Sequence, residues 1–151
     1  MKRKAILFLA TGFYSGLLPK APGTFGTIVA SLLWLFIMPQ NFIIYVIVCL
    51  VVVIAGVFIS AKADDYYETE DNQKIVIDEF AGYWITMMFI PKSFVFMAAG
   101  FVLFRFFDVV KPLYIRKIQC LNDGWGIMAD DILAGIYSNI ILQFALNMFY
   151  K

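Results

Sequence analysis

The 151-residue chain contains no histidine and only two cysteines, Cys49 and Cys120. The lack of histidine excludes a phosphohistidine intermediate, a serine–histidine dyad and most zinc sites, because each of these needs an imidazole. The two cysteines are far apart and match no metal-ligand spacing, so we assign neither a role. A metal site in this chain is therefore expected to use oxygen ligands.

Charged residues are also scarce, at 15% of the chain against 62% hydrophobic residues. With so few polar side chains, the chain could not cover the surface of a soluble globular protein. We therefore predict that a membrane covers part of the surface. A large soluble core is the competing explanation, but the uncharged run 41–61 is long enough to cross hydrocarbon. The net charge of +1 and the absence of a basic face predict no nucleic-acid partner.

Apolar runs and their interruptions predict one all-α domain over residues 1–151. We expect a small polytopic membrane bundle of about four to five membrane helices or half-helices. The basic start and the apolar stretch 5–18 predict an uncleaved interfacial or re-entrant helix. The remaining predicted apolar segments cover 28–38, 41–61, 72–90, 93–110 and 126–150.

The distribution of charge predicts which face is functional. If the N-terminus is cytoplasmic, all but Lys92 and Lys151 of the twelve basic residues lie on the cytoplasmic side, as do all eleven acidic residues. The preference of basic residues for the cytoplasmic side does not explain the acids. The convergence of both signs therefore predicts an active site at the inner leaflet.

The most informative stretch is Asp130-Asp131, at the beginning of the apolar run 132–150. Two adjacent carboxylates are costly in a bilayer and repel each other unless a cation binds them. The alternative is that they begin a helix, where a carboxylate complements the N-terminal dipole. That alternative explains one Asp better than a pair, so we favour a metal site.

A second acidic pair, Asp78-Glu79, is followed by Gly82 one helical turn later. Gly82 would let another backbone or a ligand approach the carboxylates. The alternative, a solvated acidic helix start, is weakened by the apolar residues around the pair, and the two interpretations are evenly balanced.

A third cluster consists of Arg105, Asp108 and Lys111. Residues three apart on a helix lie within one broad stripe, so these charges could face one cavity. The alternative is an ion pair at the membrane edge with Lys111 extended towards water.

Around residues 19–27, the segment Pro19-Lys20-Ala21-Pro22-Gly23-Thr24-Phe25-Gly26-Thr27 could form a phosphate cradle at a helix start. Spacing alone favours an ordinary Pro-Gly turn with a Thr N-cap. It is not a Walker loop, since no Gly-Lys-Ser/Thr follows.

Together these clusters are typical of phosphoryl transfer or hydrolysis on an anionic lipid, with Mg²⁺ in an all-carboxylate site. A non-enzymatic membrane transport or lipid-binding component with a buried charge cluster is the alternative. A transporter needs charges near the midplane, whereas these gather at one face. An alcohol phosphotransferase is disfavoured because the Asp-Gly-x-x-Ala-Arg pattern is absent.

Four motifs follow one another over about residues 12–137. They are Ser15-Gly16-Leu17 with the segment 19–27, Ile75-Val76-Ile77-Asp78-Glu79-Phe80-Ala81-Gly82, Phe104-Arg105-Phe106-Phe107-Asp108 with Lys111-Pro112, and Gly126-Ile127-Met128-Ala129-Asp130-Asp131 with Ala134-Gly135. In this order they resemble the motifs of the phosphatidylglycerophosphatase A family, although Tyr114 and Asp123 depart from the family pattern. The resemblance implies an all-helical, Mg²⁺-dependent enzyme of the bacterial inner membrane with its active site facing the cytoplasm. It would convert phosphatidylglycerophosphate to phosphatidylglycerol and inorganic phosphate.

Residue roles follow as a hypothesis from these clusters. Residues 62–71 could form a flexible lid, in which Asp71 is the acid best suited to join the site. Which carboxylate is the base and which is a ligand stays open. The predicted metal ligands are Asp78, Glu79, Asp130 and Asp131; the predicted catalytic residues are Asp108, Asp131 and Arg105; the predicted phosphate-binding residues are Lys20, Thr24, Gly26, Thr27, Arg105 and Lys111.

Overall fold

Helices form all the regular structure in the described part of the chain. The computed structural model describes residues 2–68, 72–112, 114–118 and 124–149. No strand occurs within these ranges, which confirms the all-α prediction. The helices are α1 (Arg3–Ala10), α2 (Pro22–Phe36), α3 (Phe42–Tyr67), α4 (Ile77–Thr86), α5 (Phe94–Val110), α6 (Ile115–Ile118) and α7 (Gly124–Phe149), with a 3₁₀ turn at Ser15–Leu17 between the first two.

Two helices, α3 and α7, are long and apolar enough to cross a membrane. Each has 26 residues, or about 39 Å at 1.5 Å per residue, against a hydrocarbon thickness of ~30 Å. On α3, Ile43, Val51 and Phe58 are more than half exposed, which is the surface expected to face lipid. Two spanning helices are fewer than the four to five membrane helices or half-helices predicted, so that count stays a prediction.

The predicted boundary of the fourth helix is wrong at its start, and this changes where the acidic pair lies. Residues 72–76 form turns, with the Ile75 amide donating to the Asn72 carbonyl oxygen at 2.8 Å. Helix α4 begins only at Ile77, so Asp78 and Glu79 occupy its first turn rather than its third. There the two carboxylates complement the helix dipole.

Left-handed backbone positions end three other helices. Helix α1 ends at Ala10, earlier than predicted, and Phe13 and Tyr14 follow with positive φ. Helix α3 continues past the predicted residue 61 to Tyr67, before Glu68 with φ 55°. Helix α5 agrees with its prediction and ends before Lys111 with φ 48°, just ahead of Pro112.

Helix α4 lies at the centre of the bundle and contacts α2, α3, α5 and α7. Its contact with α7 is the closest, because glycines from both helices meet. A Cβ atom at Gly82 would lie 2.6 Å from the Asp131 carbonyl oxygen, and one at Gly135 would collide with the Gly82 carbonyl oxygen. Beyond this crossing, the Asn139 side-chain amide donates to the carbonyl oxygens of Thr86 and Met88, both at 2.8 Å. The crossing therefore holds the acidic first turn of α4 beside the acidic pair of α7.

Candidate active site

A cavity of about 460 Å³ opens at the end of the bundle where α2, α4 and α7 begin and α5 ends. All three charged clusters predicted from the sequence contribute to its wall, together with the start of α2. The charged and polar lining residues are Lys20, Thr24, Gln73, Asp78, Glu79, Arg105, Asp108, Lys111, Asp130 and Asp131.

Three carboxylates in this cavity could hold a metal ion. One oxygen each of Asp78, Glu79 and Asp131 lies within 4.8 Å of the other two. Each of these residues also has a buried oxygen with no hydrogen-bond partner among the described residues, namely Asp78 Oδ1, Glu79 Oε2 and Asp131 Oδ2. Buried carboxylates without partners are strongly destabilising. A bound cation would satisfy all three.

Burial raises the pKa of both carboxyls on α4, a helix too short to span a membrane. For Glu79, burial and the charge of Asp131 raise the pKa to about 8, although Arg105 opposes them. For Asp78, burial and the charge of Glu79 raise the pKa well above its usual range. The cluster therefore favours binding a proton or a cation.

Asp130 is arranged differently from its neighbour Asp131. Its carboxylate forms an ion pair with Lys111 and accepts a hydrogen bond from the Asp131 amide at 3.0 Å. Burial lowers the pKa of Lys111, but the hydrogen bond to Asp130 and the charges of Asp130, Asp108 and Asp131 together outweigh this and raise the pKa overall. Lys111 therefore stays charged and neutralises Asp130, which leaves Asp131 as the α7 carboxylate with an unsatisfied oxygen.

Arg105 connects two of the acidic residues. Its Nη1 lies 2.5 Å from Asp108 Oδ2 and 3.6 Å from Glu79 Oε1. The same nitrogen is 3.5 Å from Thr27 Oγ1 on α2. Because guanidinium is planar and carries several donors, one Arg side chain can orient both carboxylates.

The start of α2 provides backbone amides to the cavity. Pro22 occupies the first helical position, where a missing N–H costs nothing, and the Phe25 amide is the first to donate back, to Ala21. The Gly23 and Thr24 amides precede that bond, so no turn of the helix satisfies them. A Cβ at Gly23 would collide with Glu79 Oε1 and lie 3.1 Å from Arg105 Nη1.

Gly23 thus matters more than its place in the motif indicated, because a side chain at this position would displace the Glu79 carboxylate and the Arg105 guanidinium. Gly26 and Thr27 do not line the cavity. Gly26 packs on Val76, and the buried Thr27 hydroxyl donates to the Gly23 carbonyl oxygen at 2.8 Å. A direct role for these two residues in phosphate binding stays a prediction.

Gln73 lines the cavity but was not predicted as a site residue, because an isolated Gln before a helix resembles any other loop residue. Most of the predicted lid belongs to α3 up to Tyr67, and Asp71 lies outside the described residues. Of the two departures from the family pattern, Tyr114 is exposed and Asp123 lies outside the described residues.

Comparisons with known proteins show which family and which relatives the chain is similar to. The family model described as Phosphatidylglycerophosphatase A matches residues 8–146. An Escherichia coli protein named Phosphatidylglycerophosphatase A is 40% identical over 90% of this chain and 80% of its own length. A Haemophilus influenzae protein of the same name is 38% identical over 94% and 88%, respectively.

A Bacteroides thetaiotaomicron protein bears a different name, provisionally that of a phosphatidylinositol-3-phosphatase. It is 39% identical over 96% of this chain and 97% of its own length. No solved structure matches the chain.

Proposed function

Since the chain belongs to the phosphatidylglycerophosphatase A family, as its motifs predicted, we propose that it hydrolyses the terminal phosphomonoester of phosphatidylglycerophosphate. The products are phosphatidylglycerol and inorganic phosphate. The observation that carries this proposal is the convergence of three unsatisfied buried carboxylates with Arg105 in one cavity. The names of the Escherichia coli and Haemophilus influenzae relatives support the substrate.

Mg²⁺ is the proposed cofactor, held by Asp78, Glu79 and Asp131. The unsatisfied oxygens fit a cation there, and an all-oxygen donor set suits a hard one. When bound, Mg²⁺ supplies polarisation of the phosphate and a lowered pKa for the attacking water. Asp130, predicted as a fourth ligand, is better suited to holding Lys111, with which it pairs.

The remaining polar groups are proposed to act on water and phosphate. Asp108 orients the attacking water or accepts its proton, while Arg105 keeps the Asp108 carboxylate in place. The water oxygen bonds to phosphorus, the bond from phosphorus to the glycerol oxygen breaks, and the glycerol oxygen leaves as an alcohol after taking up the proton that the water released to Asp108 or to solvent. Arg105, Lys111 and Lys20 neutralise the phosphate oxygens together with the amides near Thr24.

Lys20 differs from the other two cations in its availability to substrate. Arg105 and Lys111 each pair with a carboxylate, whereas no ion pair to Lys20 occurs within the described residues. Lys20 is exposed at the cavity and has a left-handed backbone with φ 77°. We assign Lys20 the first contact with the incoming phosphate.

The proposed location is the bacterial inner membrane, with several crossings and the cavity facing the cytoplasm. Two apolar helices of spanning length support membrane insertion. The cytoplasmic side follows from the crowding of basic residues around the cavity end of the bundle.

A second substrate, a phosphoinositide carrying a 3-phosphate, is supported by the provisional name of the Bacteroides thetaiotaomicron relative. Both lipids present a phosphomonoester on a polyol, which is the group the cavity would bind. Competition between them in one assay distinguishes the two substrates.

The decisive experiment measures phosphate release from phosphatidylglycerophosphate in detergent micelles, with Mg²⁺ and with EDTA. Wild type, Asp131→Asn and Asp65→Asn are compared. Asp65 provides a matched control because its carboxylate is exposed and pairs with Lys62 on the surface. We expect Mg²⁺-dependent release that collapses in Asp131→Asn and persists in Asp65→Asn.

Two outcomes change the assignment. Release only from phosphatidylinositol 3-phosphate would move the substrate to the phosphoinositide. No release from either lipid by folded wild type under any divalent metal would leave the transport or lipid-binding alternative.

A further inference from the structure

Resting on the proposed function, we infer that the acyl chains of the substrate reach the cavity along one side of the bundle, between α2 and α5. We define the α2–α5 seam by four apolar side chains that are exposed in the structure: Ile28 and Leu32 on α2, and Val102 and Val109 on α5. A lipid bound there places its phosphomonoester in the cavity while its hydrocarbon stays outside the bundle.

Val109 joins the cavity to the outer surface of α5. It lines the cavity and is nevertheless 68% exposed. Val102 lies seven residues earlier, two turns along the same helical face, and is 65% exposed. An apolar stripe therefore begins at the mouth of the cavity and runs along α5.

The contacts of Arg105 show which neighbour this stripe borders. Arg105 shares the face of Val102 and Val109, three residues after one and four before the other. Its Nη1 lies 3.5 Å from Thr27 Oγ1 of α2. On another side of α5, the Phe107 ring packs against Tyr137 of α7 with centroids 5.7 Å apart. The stripe consequently borders α2 and not α7.

Helix α2 supplies the matching row. Thr24 lines the cavity, and Ile28 and Leu32 follow it at intervals of one turn. The buried Gly26 faces the opposite way, towards Val76 in the segment before α4. Ile28 and Leu32 are therefore on the side of α2 next to α5, where both are more than a third exposed.

The dimensions and charge of the seam fit a lipid chain. The 15 residues of α2 extend about 22 Å, against ~15 Å for half of the hydrocarbon core. Neither α2 nor the part of α5 before Arg105 contains a charged residue. Lys20, Arg105 and Lys111 lie at the cavity end, which matches an amphiphile with an anionic head, whereas Lys92 at the far end donates to the Met38 carbonyl oxygen.

The exposed apolar face of α3 lacks a connection to the cavity. Helix α3 presents Val51, 58% exposed, to its surroundings. None of the described residues that line the cavity belongs to α3. Bulk lipid is expected to cover α3, whereas the α2–α5 seam is expected to bind the substrate.

Photolabelling in vesicles tests this inference on the full chain. The probe is phosphatidylglycerophosphate with a diazirine on one acyl chain, and the control probe is phosphatidylcholine with the same group. We expect the substrate probe to label α2 and α5 near Ile28 and Val102, and excess unlabelled phosphatidylglycerophosphate to suppress this labelling at least fivefold. Equal labelling of α3 around Val51, or labelling that the competitor does not reduce, would contradict binding of the substrate acyl chains at the α2–α5 seam.

A variant pair provides a second readout. Val102→Trp is expected to raise the ratio of KM for a long-chain to a dihexanoyl substrate about tenfold, or ~1.4 kcal/mol. Val51→Trp, on the α3 surface, should leave that ratio at the wild-type value. Equal ratios in the two variants would refute the seam while leaving the hydrolysis itself intact. Loss of wild-type phosphate release on both chain lengths would instead overturn the proposed function, so the two failures are distinguishable.

Discussion

Gly82 of α4 lies directly against the carbonyl oxygen of Asp131 of α7, and a Cβ atom at position 82 would be 2.6 Å from that oxygen. The obstacle is backbone, which cannot rotate aside. This contact sets the spacing between the first turn of α4 and the acidic pair of α7. The candidate metal site therefore depends on a glycine that carries no functional group.

Gly82→Ala is expected to separate α4 from α7 and lower both stability and activity. Overpacking of this kind costs about 1–3 kcal/mol, and phosphate release should fall at least tenfold. Gly56→Ala is the control, because its added Cβ meets only the flexible end of Met128. Both variants are tested by thermal unfolding in detergent and by phosphate release. Wild-type stability and activity in Gly82→Ala would show that α4 and α7 can move apart without loss of function.

Gly23→Ala is expected to impair catalysis more than folding. The added methyl group would displace the Glu79 carboxylate and Arg105, and a displacement of about 1 Å can cost about a hundredfold in rate. Gly100→Ala is the contrasting variant, because its Cβ would displace the side chain of Met87, which does not line the cavity. Phosphate release per folded molecule should fall for Gly23→Ala and stay near wild type for Gly100→Ala.

Lys111→Met should destabilise the protein by leaving Asp130 buried without its cation. Removing one partner of a buried ion pair costs about 3–5 kcal/mol of stability. Because Lys111 is partly exposed, we expect a loss near the lower end of that range. Adding Asp130→Asn should recover much of the loss, since an amide needs no counter-charge. A double-mutant cycle of unfolding free energies measures the coupling, and additive effects would contradict the pairing.

Mg²⁺ should stabilise the folded protein even without substrate. Binding to the native state alone contributes about 2.7 kcal/mol at a hundredfold excess over Kd. Asp131→Asn should abolish the Mg²⁺-dependent rise in Tm, while Asp65→Asn, with its exposed carboxylate, should retain it. A full Tm rise in Asp131→Asn would place the metal elsewhere.

Much of the candidate site could be predicted from the sequence because helical periodicity is local. The spacing of Arg105, Asp108 and Lys111 predicted a shared cavity, and all three line it. Gly82 was predicted to allow the close approach of another backbone, and the backbone of Asp131 lies there. The start of α4 was harder to predict, because the apolar residues 75–77 look like part of a continuous helix. In the structure, residues 72–76 are not helical and α4 begins at Ile77.

The roles of Asp130 and Asp131 show what sequence could not separate. Adjacent helical residues point about 100° apart, so the pair cannot face one partner equally. One carboxylate meets Lys111, and the other meets Asp78 and Glu79. That division depends on Lys111, which lies 19 positions from Asp130, and on Asp78, which lies 53 positions from Asp131. A local sequence pattern cannot predict contacts over such separations.

The sequence by itself determined an apolar all-helical chain, an oxygen-only metal chemistry and the charge clusters that resemble one enzyme family. Those properties follow from composition and from short-range spacing. Only the tertiary structure decided which carboxylates lie close enough together to hold a cation, which basic side chain at the cavity has no ion pair within the described residues, and which side of the bundle adjoins the cavity. The physical reason is the close crossing of α4 and α7, since backbone contact between distant segments selects one arrangement of side chains that have the same local pattern.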